Sequence, residues 1–277
     1  MASSSTLQER LSSIRAVLID MDGVVYVGDT PLPGVQDFLD YLEETDRHWL
    51  YITNNSSRTP EMYVDKLTAM NMRAQPENIL GSAQATAGWL AQQYPLDGTS
   101  RAKVIMLGQE GLRAALLSEQ FELVDDPFAA ELAVVGINFD LHYDRVADVA
   151  LAIRNGARFI GTNPDTTFPS ERGHIPGTGA IIALLQAATD VQPEIIGKPN
   201  PGMFDLAMQR LGVTIEETMM VGDRYETDII GAVKMGIATV AVLTGITSQE
   251  EFAQANPPPD MVLDNLPALL ELFRQYG

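Results

Sequence analysis

The sequence predicts an α/β protein built on a mainly parallel sheet. Short β-rich runs alternate with amphipathic helical stretches along the 277 residues. Several of the runs, such as Ala16-Val17-Leu18-Ile19, are apolar without alternation, as strands covered on both faces are. Unusual polar residues also gather just after these runs, where open α/β sheets place their ligands.

In chain order, strands are expected over 15–19, 49–53, 103–107, 132–136, 157–162, 194–197, 218–222, 238–243 and 261–263. Helices are expected over 35–44, 60–70, 143–154, 203–211 and 266–275, where apolar residues recur at helical spacing. Pro60 suits a first helical turn behind Thr59 as cap. The segment 94–100 (Tyr-Pro-Leu-Asp-Gly-Thr-Ser) is rich in turn formers, and Pro176-Gly177-Thr178-Gly179 precedes an apolar helix over 180–188. The block between them has its own strand and helix alternation and reads as an inserted domain. The division is a core over 1–90, an insertion over 91–180, and the rest of the core over 181–277.

Charge narrows the function classes. With 18 Lys+Arg against 37 Asp+Glu the formal net charge is −19, a surface that repels nucleic acid and anionic membranes. A phosphorylated substrate then needs local positive charge from a metal, a lysine or helix N-termini. Cysteine is absent, which excludes disulfides and thiol catalysis. No apolar stretch reaches the roughly 18 residues of a membrane span, and the polar start over 1–13 lacks a signal-peptide pattern. A cytoplasmic protein is expected.

Four strand ends carry the candidate chemistry. The first gives Asp20 and Asp22. Side chains two apart in a strand share a side, and two such carboxylates repel unless a cation or a shared proton offsets them. Gly23 allows a sharp exit from the strand. The second end gives Thr53-Asn54-Asn55, the third Lys198-Pro199, and the fourth Asp223 with Asp228 just beyond. Three carboxylates near one point suit Mg²⁺, a hard cation that takes oxygen ligands and keeps waters for a phosphate to replace. Asp20 can act as a nucleophile and form an acyl-phosphate, with Asp22 protonating the leaving alcohol and later deprotonating water. Lys198 would neutralise charge, and the Thr53 hydroxyl would donate to phosphoryl oxygens. Each residue also has a plainer reading: a turn at Asp20 and Asp22, a solvated Lys198, a cap at Thr53, and helix caps at Asp223 and Asp228.

Taken in order, DMDGV, TNN, GKPNP and GDRYETD resemble the four motifs of the haloacid dehalogenase superfamily, whose phosphatases use an aspartate nucleophile. TNNSSR, GARFIGTNPD and PGTGA resemble its branch of p-nitrophenyl phosphatases and nucleotide monophosphatases. The resemblance implies a Rossmann-like core with an inserted α/β cap. Asp20 would be nucleophile and Mg²⁺ ligand, and Asp22 general acid and base with its carbonyl on the metal. Thr53, Asn54 and Asn55 would hold phosphate, Lys198 would stabilise it, and Asp223 and Asp228 would complete the metal site. In the cap, the loop from Gly161 to Gly179 would face the substrate through Asn163, Asp165 and Phe168, although Asn163-Pro164-Asp165 also reads as a simple turn. The cap would also support a homodimer.

The resulting expectation is a Mg²⁺-dependent phosphatase acting on a small phosphorylated metabolite. A dehalogenase, a phosphomutase and a non-catalytic regulator that binds phosphometabolites are the rivals. The histidines His48, His142 and His174 lack metal-like spacing and read as surface or core residues.

Overall fold

A computed structural model describes residues 10–170 and 172–277, so most of the polar start over 1–13 lies outside the described residues. The chain packs as two compact units. The first comprises the described residues up to Thr53 together with 63–80 and 204–277; the second comprises 54–62 and 81–203. The second unit is thus wider than the insertion read over 91–180.

In the first unit lie β1 (Ala16–Asp20), β2 (Tyr26–Val27), β3 (Thr30–Pro31), α1 (Val35–Glu44) and β4 (His48–Thr53). The helix α2 (Pro60–Ala69) enters it from the second unit, and β5 (Ile79–Gly81) closes this stretch. The second unit holds α3 (Ser82–Gln93), β6 (Lys103–Leu107), α4 (Glu110–Ser118), β7 (Glu122–Leu123), β8 (Leu132–Val135) and α5 (Tyr143–Arg154). It continues with β9 (Arg158–Gly161), β10 (Thr167–Ser170), β11 (Gly173–Pro176), α6 (Thr178–Thr189) and β12 (Glu194–Ile195). The helix α7 (Pro201–Leu211) leads back to β13 (Thr218–Gly222), a π-helical turn (Tyr225–Ile229), α8 (Ile230–Met235), β14 (Ala238–Val242), α9 (Gln249–Gln254), β15 (Met261–Leu263) and α10 (Leu266–Tyr276).

The first sheet has the order β15-β14-β13-β1-β4-β5. Its central strand β1 runs parallel to β13 on one side and to β4 on the other. Strands β4 and β5 build outward on one side of β1 and the later strands β13 to β15 on the other, so the order reverses between β1 and β13. The apolar run of β1 is buried from Ala16 to Ile19 because helices cover both faces. On one face α1 presents Val35, Phe38, Leu39 and Leu42, and α10 presents Leu266, Leu269, Leu270 and Phe273. Both sets follow helical spacing. Phe38 and Phe273 meet with ring centroids 5.9 Å apart, and each such side chain, fully buried, contributes about 1.5–3 kcal/mol.

The second sheet has the order β12-β9-β8-β6-β7, with every pair parallel. Alternate residues serve opposite faces. Ile105, Leu107, Ala133 and Val135 pack with α5 and α6, while Val104, Leu132 and Val134 pack with α3 and α4.

Several elements were not expected from the sequence. Ala-rich α3 has little apolar periodicity, and α4 and α9 are short. The antiparallel pair β10 and β11 carries Pro169 and polar residues, so the loop read over 161–179 contains a hairpin. The strand expected over 194–197 stops at Ile195, leaving Gly197 and Lys198 in a turn. Among the described residues no helix is long and apolar enough to cross a membrane.

Candidate active site

Parallel pairing of β1 with β13 brings the ends of two segments far apart in sequence side by side. Asp20, Asp223 and Asp228 each offer a carboxylate oxygen, and the three oxygens lie within 4.8 Å of one another. Asp223 and Asp228 are buried and Asp20 is half-buried. The donor set, three carboxylates at the order reversal of a parallel sheet, fits a hard divalent cation such as Mg²⁺.

The surroundings hold these groups in place. Asp223 accepts the Ile246 N–H at 2.8 Å. Asp228 accepts the Arg224 N–H at 3.1 Å and the Thr227 hydroxyl at 3.3 Å. The π-helical turn carries Asp228 into position, in keeping with the frequent occurrence of such turns at functional sites. Two glycines press on Asp223. A Cβ on Gly245 would sit 1.8 Å from its Oδ2, and one on Gly23, where φ is +92°, would sit 2.6 Å from its Cγ. The Thr244 hydroxyl ties the two segments together by donating to the Gly23 carbonyl at 2.5 Å.

Asp22 is exposed to solvent but partly enclosed by protein. Desolvation raises its carboxyl above the usual aspartate range, against the opposing pull of the Lys66 cation and the Gly28 backbone N–H. Such a group keeps its proton longer than a free aspartate. Lys66 lies over the Tyr26 ring at 3.9 Å. It was not picked out in the sequence, where it looks like an ordinary lysine in an amphipathic helix. Thr53 is buried at the end of β4, one residue past Ile52, which pairs with Asp20.

The second unit holds the other residues named from sequence. Lys198 is 1% exposed, so the reading of it as a solvated lysine fails. Its carbonyl accepts the Asn54 amide at 2.9 Å. Asn54 Oδ1 is buried with no hydrogen-bond partner among the described residues. Asn55 receives the Ser57 N–H at 2.9 Å.

Asn163 is held inside its turn. It is 2% exposed, and its amide donates to the Asn54 carbonyl at 2.7 Å and to the Thr178 hydroxyl at 3.1 Å. It therefore braces the segment that begins with Asn54. Asp165 belongs to the same turn, its N–H donating to Asn163 Oδ1 at 3.1 Å. Gly179 lets the turn close, since a Cβ there would lie 2.2 Å from the Pro164 carbonyl oxygen. Phe168 is half-buried on β10, edge-on to Phe139 at 5.1 Å. His48, His142 and His174 are exposed.

Comparison with known proteins agrees with this arrangement. A family described as haloacid dehalogenase-like hydrolase matches residues 17–122, and a HAD-hydrolase-like family matches 195–269. An acid sugar phosphatase of Staphylococcus aureus (strain MRSA252) is 39% identical over 249 residues, covering 90% of this chain and 94% of that protein. The chain belongs to the haloacid dehalogenase-like hydrolases. A 4-nitrophenylphosphatase from Thermotoga maritima superposes with a TM-score of 0.87 at 33% identity, covering 95% of this chain and 98% of that one. A p-nitrophenyl phosphatase from Archaeoglobus fulgidus gives 0.86 at 33% identity, covering 93% and 98%. Within the haloacid dehalogenase-like hydrolases the chain falls in the p-nitrophenyl phosphatase-like branch and is a phosphatase-type hydrolase.

Proposed function

We propose that the chain is a Mg²⁺-dependent phosphatase that hydrolyses small phosphate monoesters through an aspartyl-phosphate. The carrying observation is the meeting of Asp20, Asp223 and Asp228, with Asp22 two residues beyond Asp20. In this reading an Asp20 oxygen attacks phosphorus and the ester P–O bond breaks. Asp22 gives its proton to the departing alcohol oxygen. Water then attacks the phosphorus of the acyl-phosphate, Asp22 takes up its proton, and inorganic phosphate leaves with Asp20 restored. Bound Mg²⁺ would be held by Asp20, Asp223 and Asp228, with the Asp22 carbonyl, and would offset the negative charge of carboxylates and phosphate.

Thr53, Asn54 and Asn55 would bind the phosphoryl oxygens, and Lys198 would supply positive charge to them. Substrates in range are p-nitrophenyl phosphate, sugar phosphates and nucleoside monophosphates, in line with the names of the relatives. Asn163, Asp165 and Phe168 are the residues proposed to meet the organic part of the substrate. A cytoplasmic setting and a homodimer through the second unit complete the proposal.

The test is release of inorganic phosphate from p-nitrophenyl phosphate and a panel of metabolites. Activity should require added Mg²⁺, vanish with a chelator, and fall by about 10⁴-fold or more in Asp20→Asn. Asp22→Asn should leave a phosphoenzyme visible by mass spectrometry. Full activity of Asp20→Asn, or of the chelated protein, would overturn the proposal. Transfer of phosphate between sugars without its release would favour the phosphomutase.

A further inference from the structure

The second sheet has an order reversal of its own. Its first strand, β6, is flanked by β7 and β8, and the chain leaves β6 and β8 by helices on opposite faces. Helix α4 packs on the face of Val104 and Leu132, and α5 on the face of Ile105 and Ala133. A crevice opens at the carboxyl ends of such strands, where α/β sheets of this order hold their ligands. A cavity of about 360 Å³ lies there, lined by Met106, Gly108, Gln109, Arg113, Asn138 and Arg145. That volume is within the range of small-molecule sites.

The lining is polar and directed. Arg113 extends from the first turn of α4, is exposed, and its guanidinium has no ion pair or hydrogen bond with any described residue. Arg145 comes from the first turn of α5 and is fixed by its own bonds: Nε donates to the Met106 carbonyl at 3.1 Å, and Nη1 meets Asp125 at 3.2 Å. Gln109 Nε2 donates weakly to Asn138 Oδ1 at 3.4 Å. Asn138 is held further, its Oδ1 accepting the Asp140 N–H at 2.8 Å and its Nδ2 donating to the Gly108 carbonyl at 3.4 Å, so the Gln109 amide is the one left available to a ligand. Glu110 also borders the cavity, and with Asp125 it cancels much of the positive charge. A polyanion therefore gains little here. A small molecule with one carboxylate or phosphate facing two guanidiniums, and a hydroxyl facing the Gln109 amide, is the better match.

We propose that this crevice is a second, non-catalytic binding site for a small anionic metabolite. Its walls are tied to the segment that follows Thr53. The Gly111 N–H donates to the Ser57 carbonyl at 3.0 Å, and the Ile137 N–H donates to the Ser56 hydroxyl oxygen at 3.0 Å. Occupancy would therefore stiffen the stretch that begins with Asn54. The inference stands on the second unit alone and does not depend on the catalytic reading above.

The test is amide NMR of the full chain, titrated separately with inorganic phosphate and with succinate. Saturable shifts at Gly108, Gln109 and Asn138 below about 50 mM of either probe are expected. They should weaken by about 10-fold or more in the Arg113→Ala/Arg145→Ala double variant, with shifts near Asp223 unaffected. A response to phosphate alone or to succinate alone identifies which anionic group the site takes. The absence of saturable shifts with both probes, or equal shifts in the double variant, overturns the proposal. If the double variant does not fold, the exposed single change Arg113→Gln gives the same comparison.

Discussion

Two parallel sheets in one chain share a construction and differ in their chemistry. Each reverses its strand order beside its first strand, β1 in one and β6 in the other. At the first reversal stand Asp20, Asp223 and Asp228; at the second stand Arg113, Arg145 and two side-chain amides. The architecture supplies a crevice in both cases. The residue types at the strand ends decide whether that crevice suits a cation or an anion, which is why fold alone never names a function.

The comparison can be broken most severely at Asp223. Asp223→Asn should cut phosphatase turnover by roughly 10³-fold and raise the Mg²⁺ concentration needed for half activity, while anion-induced shifts at Gly108 and Gln109 stay as they were. Loss of both responses together would mean the two crevices are one functional site. Next in size is the core of each unit. Phe38→Ala should cost about 3–5 kcal/mol and Ile160→Ala about 2–5 kcal/mol in chemical denaturation, since both are fully buried. Separate unfolding transitions for the two variants would sharpen the division into units, and a single shared transition would count against it.

Asn163→Ala should lower stability by about 0.5–1.5 kcal/mol, because the Asn54 carbonyl loses one buried donor and keeps the Ser82 hydroxyl at 2.5 Å. If it instead shifted substrate preference with stability intact, Asn163 would act chiefly as a substrate contact and not as a brace. The smallest effect belongs to Arg274→Ala. Its pairing with Glu271 is exposed at 3.2 Å and should be worth under about 0.5 kcal/mol by denaturation.

Much of the first unit was legible because its signals are local. The run before Asp20 is long and wholly apolar, and α1 and α10 keep strict helical spacing, so the strand and helices follow from pattern. Asp223 and Asp228 were legible as residues but not as geometry, since nothing in a linear reading announces a π-helical turn. Lys66 and the Thr244-Gly245 support were missed for a different reason. They act through contacts with Asp22, Gly23 and Asp223 that only the folded chain creates. The burial of Asn163 was missed as well. A polar residue in a turn looks available for binding, and its burial depends on Thr178 and Asn54, 15 residues later and 109 residues earlier.

The pairing of β1 with β13 has a consequence for the birth of the enzyme. Asp20 leaves the ribosome early, while Asp223 and Asp228 follow about 200 residues later, a delay of roughly 10 to 40 s at ordinary translation speeds. Through that interval the growing polypeptide carries Asp20 without the two carboxylates it meets in the fold. Under the mechanism proposed above, synthesis itself thereby keeps an unfinished copy from attacking phosphate esters.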